Sequence, residues 1–263
     1  MKIARIIDKG KEFFGVVEGD EISLLSSTQE EILLGIYDER LYYMKIQNAK
    51  FLPPITPKKI IGLERNYPSH SMETGQVVEE PDIFFKSVSS LIGHKDKILI
   101  PPWAKSIDYE VELVIVIGRK GKDIKESDAH NYIFGFTIGN DITDREMQFQ
   151  RGRWSIAKSY DTFTPLGPWI VTTDEIGNDP DLEISLSLNG NIMQRSRTSN
   201  MLFKPSKIVS FLSKYLTLYP GDLIFTGTPE GVGHFRSPKV YLRRGDHLVS
   251  YIERIGKLEN YIY

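Results

Sequence analysis

The sequence predicts a β-rich α+β fold with a small N-terminal domain, and three observations predict it. Alternating or β-branched runs recur along most of the 263 residues. One helical pattern stands out, Pro205 to Tyr215, where Ile208, Val209, Phe211, Leu212 and Tyr215 share a face. Finally, Leu52-Pro53-Pro54-Ile55-Thr56-Pro57 breaks the pattern and sets residues 1–52 apart from a larger domain over 58–263. There is no strand–helix alternation that would suggest a doubly wound sheet.

Taken in order, Lys2 to Ile7 and Phe13 to Val17 read as paired strands, with turns at Lys9-Gly10 and Glu18-Gly19-Asp20. Residues 29–48 carry an irregular helical pattern. Beyond the proline break, Tyr109 to Ile117 alternates strongly and Phe134 to Asn140 is an aromatic and β-branched run. Leu182, Ile184, Leu186 and Leu188 alternate with polar residues up to Asn189-Gly190, a type I′ hairpin signal. Further strands are expected at 168–173, 222–226 and 239–253.

Composition narrows the function. Lys and Arg number 33 against 35 Asp and Glu, a formal net charge of −2, which argues against a general electrostatic grip on nucleic acid or an anionic membrane. The longest wholly apolar run, Leu113 to Ile117, is far shorter than the roughly 18 residues that span a bilayer. The charged, alternating start, Met1 to Asp8, has no apolar leader core, so a cytoplasmic protein is expected. With no cysteine, disulfides, thiolate nucleophiles and cysteine-bound zinc are excluded, and any metal must sit on oxygen or imidazole.

Several residues could carry chemistry. Glu110 and Glu112 lie two apart in a strand and so project from one face. Such a pair is usually a solvated strand start, but here Val114 and Val116 continue that face apolar while Leu113, Ile115 and Ile117 fill the other. A strand apolar on both faces is buried, and buried neighbouring carboxylates need a compensating cation. Asp141 ends the run from Phe134; beside the first two it would complete an oxygen-only cluster suited to Mg²⁺, Mn²⁺ or Ca²⁺. Spacing alone does not make the two strands adjacent. His70 and Glu73 lie three apart between Pro68, suited to a first helical turn, and Gly75, suited to the residue after a last one. A short helix would pair them, either as an exposed surface pair or as a general base with its orienting carboxylate. The glycine-rich Thr226-Gly227-Thr228-Pro229-Glu230-Gly231-Val232-Gly233 lacks the Lys of a phosphate loop, but its N–H groups could hold a small carboxylate. Lys158 and Lys86 are single lysines, each usually solvent-facing.

In order along the chain, these pieces resemble the fumarylacetoacetate hydrolase family, in its shorter acylpyruvase and dienoate-isomerase branch. The resemblance covers residues 58–263 and rests on five motifs: Asn66-Tyr67 with His70 and Glu73; Asp108-Tyr109-Glu110 with Glu112-Leu113; Gly135-Phe136-Thr137 with Asn140-Asp141; Lys158-Ser159 with Asp161-Thr162-Phe163 and Pro165-Leu166-Gly167-Pro168; and Pro220-Gly221-Asp222 through Thr226-Gly227-Thr228-Pro229 to Gly231-Val232-Gly233. It implies a mixed β-sandwich roll behind a small N-terminal α/β domain, a homodimer, and a divalent metal, Mg²⁺ or Mn²⁺, on Glu110, Glu112 and Asp141. It further implies that His70 and Glu73 form an acid–base dyad on a closing segment and that Lys158 holds a substrate oxyanion. Tyr67, Lys86, Arg145, Gln148 and Thr228 would contact substrate. The implied activity is metal-dependent catalysis on a small diketo or 2-oxo (di)carboxylic acid, as in aromatic catabolism. Hydrolysis of a C–C bond leads, ahead of dienoate isomerisation, decarboxylation or dehydration of a 2-keto-3-deoxy sugar acid. The rival class is a non-catalytic metal- or ligand-binding homologue.

Two departures from the family pattern matter. Glu64 and Arg65 are extra residues just before the dyad, read either as a solvated loop or as a contact to a substrate's far end. Asp144, followed by Arg145-Glu146, adds an acidic group expected near the metal or substrate.

Overall fold

The computed structural model describes residues 1–75 and 78–263. Its largest sheet runs, strand by strand, Arg40–Lys45, Glu21–Leu25, Lys11–Glu18, Lys2–Asp8, Thr164–Thr172, Ile133–Asn140, Val111–Ile117, Leu223–Phe225, Ile60–Glu64 and Asp82–Lys86. Residues 1–52 therefore share a sheet with the later chain, joined where Ile3 lies opposite Ile170. A second sheet orders Asn191–Arg197, Glu183–Leu188, His247–Ile252, Gly256–Ile262 and Lys97–Ile98.

The Val111–Ile117 strand is buried on both faces, and its two faces feed two cores. Val111, Leu113, Ile115 and Ile117 pack toward the second sheet's Ile184, Leu186, Leu248 and Ile252 and toward Ile208, Val209 and Leu212 of the Pro205–Tyr215 helix. Val114 and Val116 pack with Ile60, Leu166, Ile170, Leu223 and Phe225. That second face is the one on which Glu110 and Glu112 stand, so the sheet delivers both carboxylates into an apolar layer.

Local signals account for most elements. The Asn189-Gly190 hairpin has both central residues at positive φ, 52° and 82°, as a type I′ turn requires. The Pro205–Tyr215 helix starts on its proline, although Tyr215 is exposed rather than part of the buried face. Elsewhere the structure corrects the sequence reading. Of residues 29–48, only Gln29–Leu33 is α-helix, capped by Thr28 and Glu31; the turn passes through Gly35 at φ 76°, and Arg40–Lys45 is a strand paired with Glu21–Leu25. Tyr and Leu at 41–43 favour that edge strand over a helix. Within 239–253 only His247–Ile252 is strand, because Arg243 and Asp246 close a turn through Gly245 at φ 94°.

Candidate active site

Antiparallel pairing of Val111–Ile117 with Ile133–Asn140 sets Val111 opposite Asn140, and the Asp141 N–H then donates to the Glu110 carbonyl at 2.8 Å. This register brings the third carboxylate to the first two. One ligand oxygen from each of Glu110, Glu112 and Asp141 lies within 4.8 Å of the others, and all three residues are buried. Leu223–Phe225 pairs with the other edge of Val111–Ile117, so the chain beyond Phe225 runs past Glu112.

Three cations surround these acids. Lys158 Nζ donates to Glu110 Oε2 at 2.8 Å, Asp141 Oδ2 at 2.5 Å and Thr143 Oγ1 at 2.8 Å. Lys86 Nζ bonds the other Asp141 oxygen and the carbonyls of Lys158 and Phe163. Arg145 pairs with Glu110 Oε1 at 2.6 Å and Asp108 Oδ2 at 2.8 Å, and its Nη1 donates to Gln148 Oε1 at 2.9 Å. Four buried carboxylates thus face three cations, and among the described residues Glu112 alone of the four has no ion pair.

The electrostatics follow. Burial works against the ionised form of Glu110, but Lys158 and Arg145 outweigh it and hold the carboxyl well below the usual range. For Glu112, burial together with the charges of Asp141 and Glu110 drives the carboxyl well above it. A hard divalent cation would relieve that crowding: the donors are oxygen, converge, and carry surplus negative charge, so Glu110, Glu112 and Asp141 fit such an ion.

The Pro68–Thr74 helix, ended by Gly75 at φ 69°, places His70 Nδ1 2.9 Å from Glu73 Oε2. An ionised Glu73 accepts the Nδ1 proton, which leaves Nε2 as the basic nitrogen. The other Glu73 oxygen accepts the Gly231 N–H at 2.9 Å. The glycine-rich loop does hold carboxylates, but they are the protein's own. Gly227 N–H binds Glu112 at 2.7 Å, Gly231 binds Glu73, and Gly233 and His234 bind the two oxygens of Asp108 at 2.8 and 2.9 Å. One loop thereby fixes an acid of the triad, the acid of the dyad, and the acid that holds Arg145.

A cavity of about 350 Å³ opens onto this cluster, lined by Glu110, Glu112, Lys158, His70, Arg145, Gln148 and Thr228. Tyr67 and Lys86 do not line it. Tyr67 is fully buried, and Lys86 stands behind Asp141 as a wholly buried counter-ion. Thr228 uses its hydroxyl inward, donating to the Val111 carbonyl at 2.9 Å and accepting from Gln194 at 2.8 Å. Asp144 is not in the cavity either. It is buried, binds Ser106 and the N–H groups of Glu146 and Met147, and accepts from Tyr160, because the chain turns there into the Glu146–Gln150 segment. Glu64 and Arg65, in contrast, form part of the cavity wall rather than a solvated loop, with side chains only 10% and 14% exposed.

The sequence reading missed the role of Asp108 and the cavity's aromatic wall of Phe84, Phe149, Trp154, His234 and Phe235. Asp108 stood inside a recognised motif, and its partners at 145 and 233–234 were the missing signal. Phe84 did carry one: its ring lies over Gly62, where an added Cβ would fall 2.1 Å from it.

Comparison with known proteins finds relatives along most of the chain. The model of the fumarylacetoacetate hydrolase C-terminal family matches residues 59–263. A curated relative, the mitochondrial oxaloacetate tautomerase of Rattus norvegicus, is 45% identical over 213 residues, which span 80% of this chain and 68% of that protein. Among solved structures, a 5-carboxymethyl-2-hydroxymuconate delta-isomerase from Mycobacterium smegmatis superimposes with a TM-score of 0.88 at 36% identity, covering 100% of this chain and 99% of that one. A fumarylacetoacetate hydrolase from Exiguobacterium antarcticum does so with a TM-score of 0.90 at 32% identity, covering 100% and 99%. No helix among the described residues is long and apolar enough to cross a membrane.

Proposed function

The chain belongs to the fumarylacetoacetate hydrolase family, and from that premise we propose that it moves a proton between the keto and enol forms of a small 2-oxo dicarboxylic acid, with a divalent cation held by Glu110, Glu112 and Asp141. The observation that carries this reading is the His70–Glu73 pair, whose imidazole lines the same cavity as Glu110, Glu112 and Lys158. The names of the relatives, an oxaloacetate tautomerase and a muconate delta-isomerase, support proton transfer over bond cleavage.

The residues have separable tasks. Glu73 fixes the imidazole so that Nε2 can take a proton from the carbon beside the oxo group and return it elsewhere. The Lys158 ammonium sets a positive charge where negative charge develops on the substrate oxygen. Arg145 orients Glu110, and the Gly227 N–H orients Glu112. Phe84, Trp154 and Phe235 restrict water, which strengthens every charge interaction inside and favours return of the proton over hydrolysis. When bound, the cation supplies Lewis acidity toward the 2-oxo acid.

C–C hydrolysis is the second reading, favoured by the likeness to the Exiguobacterium hydrolase; the same dyad would then take its proton from water. Proton NMR in D₂O with Mg²⁺ separates the two. The proposal expects catalysed exchange of the oxaloacetate methylene protons with the carbon skeleton intact, abolished by EDTA and lowered at least about a hundredfold by His70→Ala. Exchange no faster than in buffer, or a His70→Ala variant as fast as the unaltered protein, overturns it. Cleaved products would instead select hydrolysis.

A further inference from the structure

We propose that Arg65 is a specificity-determining residue that receives the second, distal carboxylate of the substrate; this rests on the reading of the cavity as a 2-oxo-acid site. Arg65 follows the Ile60–Glu64 strand at φ 51°, a left-handed turn immediately before the helix that carries His70. Its side chain lines the cavity that also exposes Glu110, Glu112 and Lys158. The substrate's reacting end belongs at that acidic cluster, so Arg65 meets whatever the substrate carries at its other end.

The guanidinium is held ready for an anion but not saturated. Both of its ion pairs, to Glu64 at 2.9 Å and to Asp82 at 3.4 Å, run through the single nitrogen Nη2. Nε is buried with no hydrogen-bond partner. The guanidinium carbon lies over the Trp154 ring, 5.7 Å from its centroid, a cation–π contact on the cavity wall. A carboxylate is the ligand that uses two adjacent guanidinium N–H groups at once, and here it would occupy Nε together with Nη2.

Glu64 makes the exchange possible. Burial pushes its carboxyl up to about 7, against the pull of Arg65, so near neutral pH it gives up its negative charge readily. A protonated Glu64 releases Arg65 to the incoming carboxylate, while Asp82, the other partner, is more than half exposed and holds Arg65 only through a screened contact.

The test compares two substrate series in the same exchange assay with Mg²⁺: the 2-oxo dicarboxylates oxaloacetate, 2-oxoglutarate and 2-oxoadipate, and the monocarboxylates pyruvate, 2-oxobutyrate and 2-oxovalerate. Arg65→Met is expected to raise KM for the best dicarboxylate at least about tenfold with kcat within about threefold. It should leave kcat/KM for the monocarboxylates within about threefold, and Arg65→Lys should recover part of the loss. Equal effects on both series, or no effect on either, overturn the assignment of Arg65 alone. If the unaltered protein exchanges neither series, the 2-oxo-acid reading falls and this inference falls with it. If Arg65→Met does not fold, Arg65→Lys decides: it keeps the charge and loses the planar fork, so a dicarboxylate KM identical to that of the unaltered protein overturns the proposal.

Discussion

Lys86 separates a structural from a substrate-binding role. Its side chain is wholly buried, its Nζ pairs with Asp141, and it also satisfies the carbonyls of Lys158 and Phe163, the latter at 3.1 Å. Lys86→Met keeps the volume and removes the charge, leaving one oxygen of a buried carboxylate and two carbonyls without this donor. Breaking a buried ion pair from one side costs about 3–5 kcal/mol, and at roughly 2 °C per kcal/mol for a chain of this length the midpoint should fall by about 6–10 °C. Adding Asp141→Asn removes one negative charge from a cluster that would then set four carboxylates against two cations, so the double variant should be less unstable than the sum of the singles by about 2 kcal/mol. Urea denaturation at one protein concentration in EDTA measures these terms without contributions from metal or concentration. A Lys86→Met variant within about 1 kcal/mol of the unaltered protein, with strictly additive singles, would refute the reasoning. If that stable variant also showed a raised KM, Lys86 would be a substrate contact after all.

Two further outcomes follow from the site. Glu64 has a carboxyl raised from 4.5 to about 7 in the folded protein, so the folded state binds the extra proton and stability falls as pH rises from about 4.5 through about 7. The full shift would be worth about 3 kcal/mol, which solvent screening at the cavity mouth cuts to about 1–2 kcal/mol. Glu64→Gln should therefore flatten the pH–stability profile and be the more stable form at pH 8; a variant that keeps the fall assigns it to another group. At Gly233, an added Cβ would lie 1.8 Å from the Val240 carbonyl oxygen and 2.8 Å from Asp108 Oδ1. Gly233→Ala should thus displace Asp108 and, through Arg145, Glu110, costing about 1–3 kcal/mol and at least tenfold in kcat; unchanged kcat in a folded variant would show that Asp108 does not position the triad.

Much of the fold was legible because its signals are local. Period-two alternation marked the Glu183–Leu188 strand, Asn-Gly marked its hairpin, and the Pro205–Tyr215 helix was bounded by its own apolar stripe. The same short-range geometry placed Glu110 and Glu112 on one face and paired His70 with Glu73 within one helical turn. Where local signals conflicted, as between the helical spacing and the aromatic edge-strand residues of 29–48, pairing with Glu21–Leu25 decided the outcome.

What the sequence by itself determined, then, is those strands and the one long helix that carry clean local signals, the shared face of two acids and the spacing of the dyad, because each depends on torsions and contacts within a few residues. Only the tertiary structure decided how those pieces combine. Asp141 meets Glu110 through strand register, Lys158 reaches that pair from 17 and 48 residues away, and Lys86 reaches Asp141 from 55. The glycine loop's N–H groups turn to Glu112, Glu73 and Asp108, and Glu64 and Arg65 become cavity wall. The physical reason is that a buried charge must find an opposite charge wherever packing brings one within a few ångströms. That partner is chosen by how strands align across the sheet, and no local periodicity encodes it.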